Sequence, residues 1–400
     1  MSKVVVLSRS FSQGSREPRE LLSEAGLEVV FKKNPTPEKE EKVAELIGDA
    51  EAVIVGVDRI GEVVFSRCSN LRVVSKHGVG VDNIDLAAAK RHAVVVANAP
   101  GTNSQSVADM AFLLILACAR GLSLLLEQVK NKIWSSPFLG IELEDKVLGI
   151  VGLGRIGREV GKRGRSFGMK VIYYDPVVED KEFTSVSLEN LFKRADFVSL
   201  HAPLTEDTEK MVGEELLSLM KEEAFLINTA RGGLVDEEAL HQFLREKRIK
   251  GAALDVLSFE PPFESPLLSL PNVIVTPHVA AHTREANIKM GKIAALNVIR
   301  VLQGEEPLYR VMSKNWHSAT SPSNRWLYYL IIILFLFFYF QSEEEGTYLV
   351  VRVIDGDTIE LSNGEKVRYI GIDTPELHHP QKEVERYARE AYEANRRMVE

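Results

Sequence analysis

The run Val147-Leu148-Gly149-Ile150-Val151-Gly152-Leu153-Gly154-Arg155-Ile156-Gly157 restricts the possible folds more than any other stretch of the chain. It reads as a buried strand, a tight glycine turn and the opening of a helix. A second strand over residues 170–174 ends on Asp175. In a dinucleotide site the three glycines do different things. Gly152 permits the turn, Gly154 lets backbone N–H groups approach a pyrophosphate, and Gly157 lets the helix pack closely. The helix start, at Arg155 and Ile156, offers unpaired N–H donors and a partial positive charge to phosphates. Asp175, about 20 residues on, is placed to bond ribose hydroxyls and to repel a 2′-phosphate, which favours NAD over NADP. Three glycines alone would describe any glycine-rich turn; two strands, a helix and an acid in register make a nucleotide site.

Around this unit, apolar runs alternate with amphipathic stretches, the pattern of a mostly parallel α/β sheet. Strands are expected over residues 4–7, 28–31, 52–55, 72–75 and 94–97, then 197–201, 224–228, 251–256 and 273–276. Two such series, separated by one long apolar helix over residues 104–121, predict an α/β fold with two Rossmann-like lobes. Residues 1–100 with 285–310 form the substrate-binding lobe, to which a helix over 286–302 returns, and residues 101–284 form the NAD-binding lobe. Turns near 98–101 and 278–282 are the expected hinge crossings, and the cleft between the lobes is the expected ligand site. Net charge of -8 supplies no global attraction for nucleic acid, which is an unlikely partner. Cys68 and Cys118 lack metal-ligand spacing and read as buried free thiols of a reducing compartment. The opening Val4-Val5-Val6-Leu7 is a core strand rather than a signal peptide.

After Arg310 the character changes. Residues 311–325 read as a polar linker, and 326–340 are unbroken aliphatic and aromatic. That run is shorter than the ~17–25 residues of a comfortable span but fits a membrane or signal-like segment. Lys314 and Arg325 put its amino-terminal side in the cytoplasm. The part before it is expected to be cytoplasmic, and membrane contact through 326–340 would leave the tail outside.

Three segments past the nucleotide turn carry candidate chemistry at strand ends: Asn228-Thr229-Ala230-Arg231-Gly232, Leu254-Asp255-Val256-Leu257-Ser258-Phe259-Glu260 and Thr276-Pro277-His278-Val279-Ala280-Ala281-His282. Oxidation of a hydroxy acid needs a cation for the carboxylate, a base for the hydroxyl proton and a carboxylate that holds the base. Arg231 supplies a bidentate fork, His278 an imidazole that can take and return a proton, and Glu260 the carboxylate that orients it. Singly they are an ion pair, a core histidine and a loop acid; in order behind a dinucleotide turn they make a catalytic set. Asp255 is a candidate partner for the nicotinamide amide, whereas local hydrogen bonding is sufficient for His201 and His282.

With these motifs and His77-Gly78-Val79-Gly80-Val81-Asp82-Asn83-Ile84-Asp85, residues 1–310 resemble the D-isomer-specific 2-hydroxyacid dehydrogenase family, most closely its phosphoglycerate dehydrogenase branch. The resemblance implies Arg231, Glu260 and His278 as catalytic residues. It also implies cofactor contacts from Gly152, Gly154, Arg155, Ile156, Gly157, Asp175, Ala202, Thr229, Ala230, Arg231, Asp255, His278, Ala280 and Ala281. Substrate contacts would come from Lys76, Gly78, Val79, Gly80 and Arg231, and the partners are a small 2-hydroxy or 2-oxo acid and a second copy, with the helix after Pro100 in a homodimer interface. Three positions depart from the family: Lys76 stands where arginine is common, Asp109 where glutamate is usual, and Gly56 where some phosphoglycerate enzymes carry a phosphate-binding arginine, with Arg59 close by. The leading substrate pair is therefore D-3-phosphoglycerate and 3-phosphohydroxypyruvate, and the alternatives are a glyoxylate or hydroxypyruvate reductase or an NAD-sensing binding protein.

Residues 346–400 are unrelated to what precedes them. Two strands are expected over 348–361 and a return strand over 366–370 across the turn Ser362-Asn363-Gly364-Glu365. Asp357 and Asp373 are carboxylates suited to calcium, Glu376 could activate water, and Arg368 could stabilise a phosphodiester's developing charge. The Asp-Gly-Asp-Thr and Asp-Thr-Pro-Glu motifs resemble the thermonuclease family, an OB-type barrel. That implies calcium contacts from Asp357, Asp373 and Thr374 and catalytic roles for Arg368 and Glu376. Only about the first half of such a domain is present, so the expectation is an incomplete, inactive barrel joined behind the dehydrogenase-like part, as if two reading frames had been fused.

Overall fold

Short β-branched runs build the first sheet of the computed structural model: β1 (Lys3–Val6), β2 (Glu28–Phe31), β3 (Ala52–Val55), β4 (Val73–Lys76) and β5 (Val95–Ala97). The structure describes residues 1–135 and 138–311, and beyond them the backbone of three strands. All pairs in the first sheet are parallel, in the order β2-β1-β3-β4-β5. Alternation places Val5, Val53 and Val74 in one core layer and Val4, Val6, Ala52, Ile54 and Val73 in the other. The second layer is completed by Ala294, Ala295 and Val298 of the helix Arg284–Leu302. Thr283 caps that helix, its hydroxyl accepting from Ala286 N at 3.2 Å, a common device for the first turn.

The second sheet comprises β6 (Val147–Val151), β7 (Lys170–Tyr174), β8 (Thr184–Ser185), β9 (Phe197–Leu200), β10 (Phe225–Asn228), β11 (Gly251–Leu254) and β12 (Val273–Val275). Its order, β12-β11-β10-β9-β6-β7-β8, is that of a doubly wound dinucleotide fold with the switch point between β6 and β9. Near-continuous apolar strands follow from burial on both faces: Val151, Val198, Leu226 and Ala252 face one layer, and Leu148, Ile150, Phe197, Phe225 and Ile227 face the other. Ala108, Ala111, Ile115 and Ala119 of the helix Ser104–Arg120 line that latter layer.

Three details differ from the sequence expectation. The long helix stops at Arg120 because Gly121 adopts φ +60°, and a second helix, Leu122–Lys130, turns away by 65°. The edge strand β8 is two residues long and carries no periodic signal. The segment after the last helix runs on to Val311, pinned to the first lobe by Asn98 N to Tyr309 O (3.1 Å) and Val311 N to Val96 O (2.8 Å). Among the described residues no single helix is long and apolar enough to cross a membrane, and only the bent pair 104–130 approaches that composition.

Residues Lys314–Glu400 form a separate unit, in which β13 (Val350–Val353), β14 (Thr358–Leu361) and β15 (Lys366–Arg368) pair antiparallel in sequence order. The expected membrane segment 326–340 and the candidate residues Asp357, Asp373, Thr374 and Glu376 lie outside the described residues. Arg368 ends β15.

Candidate active site

Where β6 leaves the sheet, Gly152 takes φ +92°, and a Cβ there would lie 2.8 Å from Ala202 N. Gly157 is tighter, since its Cβ would meet Gly152 O at 2.2 Å, so the helix Arg155–Ser166 can seat on the turn only through glycine. Gly154 differs from both: nothing lies within 4 Å of its would-be Cβ. It is also the helix N-cap and has no side-chain cap. Open space above an uncapped helix N-terminus fits a pyrophosphate. Asp175 accepts from Leu153 N at 2.8 Å on one oxygen and from Val177 N and Val178 N at 2.9 Å on the other. Those bonds fix the carboxylate at the end of β7 beside the turn, and Oδ2, which takes only one of them, can still accept a hydroxyl. Arg155 extends toward the hinge, its Nη1 3.2 Å from a would-be Cβ on Gly101. Thr229 has a buried hydroxyl without a partner among the described residues.

The catalytic candidates leave the carboxyl ends of three adjacent strands. Asn228, Leu254 and Val275 stand level across β10, β11 and β12, so Arg231, Glu260 and His278 emerge side by side. Asn228 shapes the first loop by donating from Nδ2 to Arg231 O (2.8 Å) while its Oδ1 accepts from Ala230 N (3.0 Å). Gly232 then presses on the next loop, where a Cβ would meet Leu257 C at 1.9 Å. Leu257 N donates to Glu260 Oε1 (3.2 Å), and Glu260 Oε2 lies 2.8 Å from His278 Nδ1. His278 Nε2 has no partner among the described residues.

Asp255 builds the third loop. Buried at 1 % exposure, it accepts from Thr276 Oγ1 (2.6 Å), Val279 N (3.0 Å) and Ala280 N (2.8 Å), while its carbonyl accepts from His278 N (2.9 Å). The sequence pointed to Asp255 as a cofactor contact; in the structure three of its acceptor positions hold the histidine loop. Ala280 is buried beside it and Ala281 half-buried. His201 is an internal histidine whose Nε2 lies 2.8 Å from Ser199 Oγ while its buried Nδ1 has no partner among the described residues, and burial pushes its pKa down to about 3. His282 touches Gln13 at 3.4 Å.

Across the cleft lies the loop Gly78–Gly80. Ala99 N donates to Gly78 O (2.9 Å) and Asn98 Nδ2 donates to Val79 O (2.7 Å). In a trans peptide C=O and N–H point in opposite directions, so the N–H groups of Val79 and Gly80 face away from that hinge. They carry no hydrogen bond among the described residues. Arg231 comes to meet the loop: a Cβ on Gly80 would sit 1.4 Å from Nη2, so any larger residue there would displace the guanidinium. Lys76 lies beneath the loop, donating to Gly56 O and Asn83 Oδ1, both at 2.6 Å. Burial, with Arg231 nearby, lowers its pKa to about 8. Its visible role is to support the loop. His77 is buried against Ser8 Oγ (3.0 Å), and burial lowers its pKa to about 4. Asp82, quoted above only as part of a motif, turns out to pair with Arg231 Nε at 2.6 Å. A contact between residues 149 positions apart leaves no trace in spacing. No His, Cys, Asp or Glu cluster suited to a metal occurs among the described residues.

Fold and site together define a two-lobed dinucleotide-binding protein with a histidine–carboxylate pair and an arginine in its cleft. The family model "D-isomer specific 2-hydroxyacid dehydrogenase, NAD binding domain" matches residues 112–280. The chain is 39% identical over 296 residues to a glyoxylate reductase of Korarchaeum cryptofilum, covering 71% of this chain and 89% of that protein. It is 44% identical over 273 residues to a D-3-phosphoglycerate dehydrogenase of Methanocaldococcus jannaschii, covering 66% of this chain and 52% of the other, so it spans about half the length of that relative. A crystal structure of a protein from Thermus thermophilus superposes with TM-score 0.72 at 37% identity, covering 78% of this chain and all of that one. The chain belongs to the D-isomer specific 2-hydroxyacid dehydrogenase family. Its carboxyl-terminal residues 366–400 match the family model of staphylococcal nuclease homologues.

Proposed function

We propose that this protein is an NAD-dependent dehydrogenase that interconverts a D-2-hydroxy acid and its 2-oxo acid. The observation that carries the reading is the 2.8 Å pair of His278 Nδ1 with Glu260, beside Arg231 on the neighbouring strand end. The residues around Gly154 and Asp175 suit NAD, which when bound gives or takes the hydride. With Nδ1–H committed to Glu260, the working edge of His278 is Nε2. In the oxidative direction the neutral ring takes the hydroxyl proton there, and in the reductive direction the protonated ring returns it. The N–H groups of Val79 and Gly80 receive the substrate carboxylate, and Arg231 holds the carboxylate and carbonyl oxygens as charge shifts between them.

For the substrate itself, D-3-phosphoglycerate with 3-phosphohydroxypyruvate is the first choice, supported by the resemblance to the Methanocaldococcus jannaschii enzyme. A second reading, reduction of a small unphosphorylated acid such as glyoxylate or hydroxypyruvate, has its own support: Arg59 is paired with Glu40 at 3.0 Å and Lys76 is committed to the loop. That leaves fewer cations for a phosphate. Steady-state assay of glyoxylate, hydroxypyruvate and phosphohydroxypyruvate with NADH decides between them by kcat/KM. No turnover of any of the three, with NADH bound, would instead support an NAD-sensing protein.

A homodimer is part of the proposal. Leu113, Leu126, Val129, Trp134 and Leu139, on and after the bent helix pair, are between 53% and 92% exposed, and exposed large apolar side chains gathered on one element suit an interface. Light scattering should give twice the chain mass. For residues 326–340 we propose membrane contact with the dehydrogenase on the cytoplasmic side; recovery of full-length protein in the soluble fraction would count against it. Calcium-dependent nuclease chemistry at Asp357, Asp373, Thr374, Arg368 and Glu376 is expected to be absent, which a calcium-supplemented DNA digestion assay tests.

A further inference from the structure

Arg231 touches both lobes across the cleft, and its five N–H donors are not equivalent in their surroundings. Nη1 donates to Ala230 O at 2.7 Å, which ties the guanidinium to its own strand end. Nε donates to Asp82 Oδ2 at 2.6 Å, which ties it to the opposite lobe. Of the three N–H donors that remain two are on Nη2, which lies over Gly80, where a Cβ would be only 1.4 Å away. Asp82 Oδ2 is itself 3.3 Å from that same point. Arginine and aspartate therefore meet at Gly80, in the loop that carries the free N–H groups of Val79 and Gly80.

We propose that Asp82 is a positioning residue for the reaction: by holding the Nε edge of Arg231 it turns the Nη2 edge toward the Val79–Gly80 N–H groups, so that one substrate carboxylate meets all of these donors together. The proposal rests on the dehydrogenase reading and adds to it the residue that sets the arginine's direction. Two features argue against a merely structural pair. The side chains are 49% (Asp82) and 29% (Arg231) exposed, and ion pairs in such surroundings add little to stability. The loop carrying Asp82 already has its own supports, Asn83 Nδ2 to Asp58 O at 2.5 Å and Lys76 to Asn83. An aspartate that contributes little to the fold yet fixes one edge of the substrate-binding cation is suited to orientation. It also lowers the net positive charge of a site that holds Lys76 and Arg231 together, and Asp82 is among the groups that favour the charged form of Lys76.

The test compares Asp82→Ala and Asp82→Asn with wild type, using the best 2-oxo acid of the panel, equilibrium binding of oxalate to the NADH complex, NADH affinity and thermal midpoint. Misplacing a binding group can cost about 100-fold, so Asp82→Ala should lower kcat/KM about 10- to 100-fold, mainly through KM, and weaken oxalate binding in parallel. NADH affinity and the thermal midpoint should hardly move. Asp82→Asn, which keeps an oxygen to accept from Nε, should recover most of the loss. Unchanged KM and oxalate affinity in Asp82→Ala would overturn the proposal while leaving the dehydrogenase reading intact. A loss shared equally by NADH and oxalate, or no recovery in Asp82→Asn, would also overturn it. If wild type turns over no 2-oxo acid, the dehydrogenase reading fails on its own, and the oxalate comparison still decides the role of Asp82.

Discussion

His278 sits at φ +52°, a left-handed conformation that asparagine, aspartate and histidine tolerate better than most residues. The strain, of order 1–3 kcal/mol, is held in place by Asp255, whose carbonyl and carboxylate take the N–H groups of His278, Val279 and Ala280. A buried acid thereby aims the imidazole, and Glu260 then fixes which nitrogen faces outward. The division of labour gives a clean experiment. Asparagine prefers the same backbone conformation but cannot shuttle a proton. His278→Asn should therefore fold normally, bind NADH within about twofold of wild type, and lose roughly 10²- to 10⁴-fold in turnover. Loss of NADH binding in step with turnover would count against the proton-transfer role.

The β6–turn–helix–β7 unit converts a local sequence pattern into a phosphate site through contacts shorter than a methyl group allows. Gly157→Ala puts a Cβ 2.2 Å from Gly152 O, and neither is a flexible side chain that could yield. Overpacking of this kind costs about 1–3 kcal/mol, so the thermal midpoint should fall by several degrees and NADH affinity should drop with it. An unshifted midpoint would mean that the turn can relax. Asp175→Ala acts on the same unit by different physics, removing the negative charge that faces a 2′-phosphate. It should raise the NADPH/NADH ratio of kcat/KM, although the lost bond from Leu153 N (2.8 Å) will also loosen the turn. This unit was readable from sequence because its determinants lie within a few residues of one another. The same holds for the β-branched strands β1, β3 and β6, and for the helix beginning at Ser104. What stayed hidden has a common cause. The break at Gly121 depends on a single φ, β8 is too short for periodicity, and the clamp by Asp255 and the pairing of Asp82 with Arg231 join residues far apart in the chain. Such contacts exist only once the sheets have brought strand ends together.

At the scale of the whole described fold, the lobes are joined by two helices, Ser104–Arg120 and Arg284–Leu302, and each lobe keeps one histidine in its interior. His77 precedes the substrate loop of the first lobe, with its pKa lowered to about 4 by burial, and His201 flanks the nucleotide turn of the second, at about 3. Both are thus neutral in the folded protein throughout the range in which an unfolded histidine, with a pKa near 6.5, takes up a proton. The sign follows from linkage: between pH 6.5 and about 4 the unfolded chain binds more protons than the native one, so stability rises with pH and falls on acidification. Each such proton contributes at most about 1.4 kcal/mol per pH unit, and two give a slope approaching about 2.7 kcal/mol per unit toward the lower end of that window. Carboxylates reinforce the trend only below about pH 4.5, which leaves pH 6.5 to 5 as the interval in which histidines dominate. Urea midpoints should therefore decline steadily from pH 7 to pH 5. His201→Gln, which keeps a side-chain amide within reach of Ser199, should remove about half of that decline even if the variant is less stable at pH 7. A midpoint that stays level from pH 7 to 5 would show that neither ring is held uncharged in the fold.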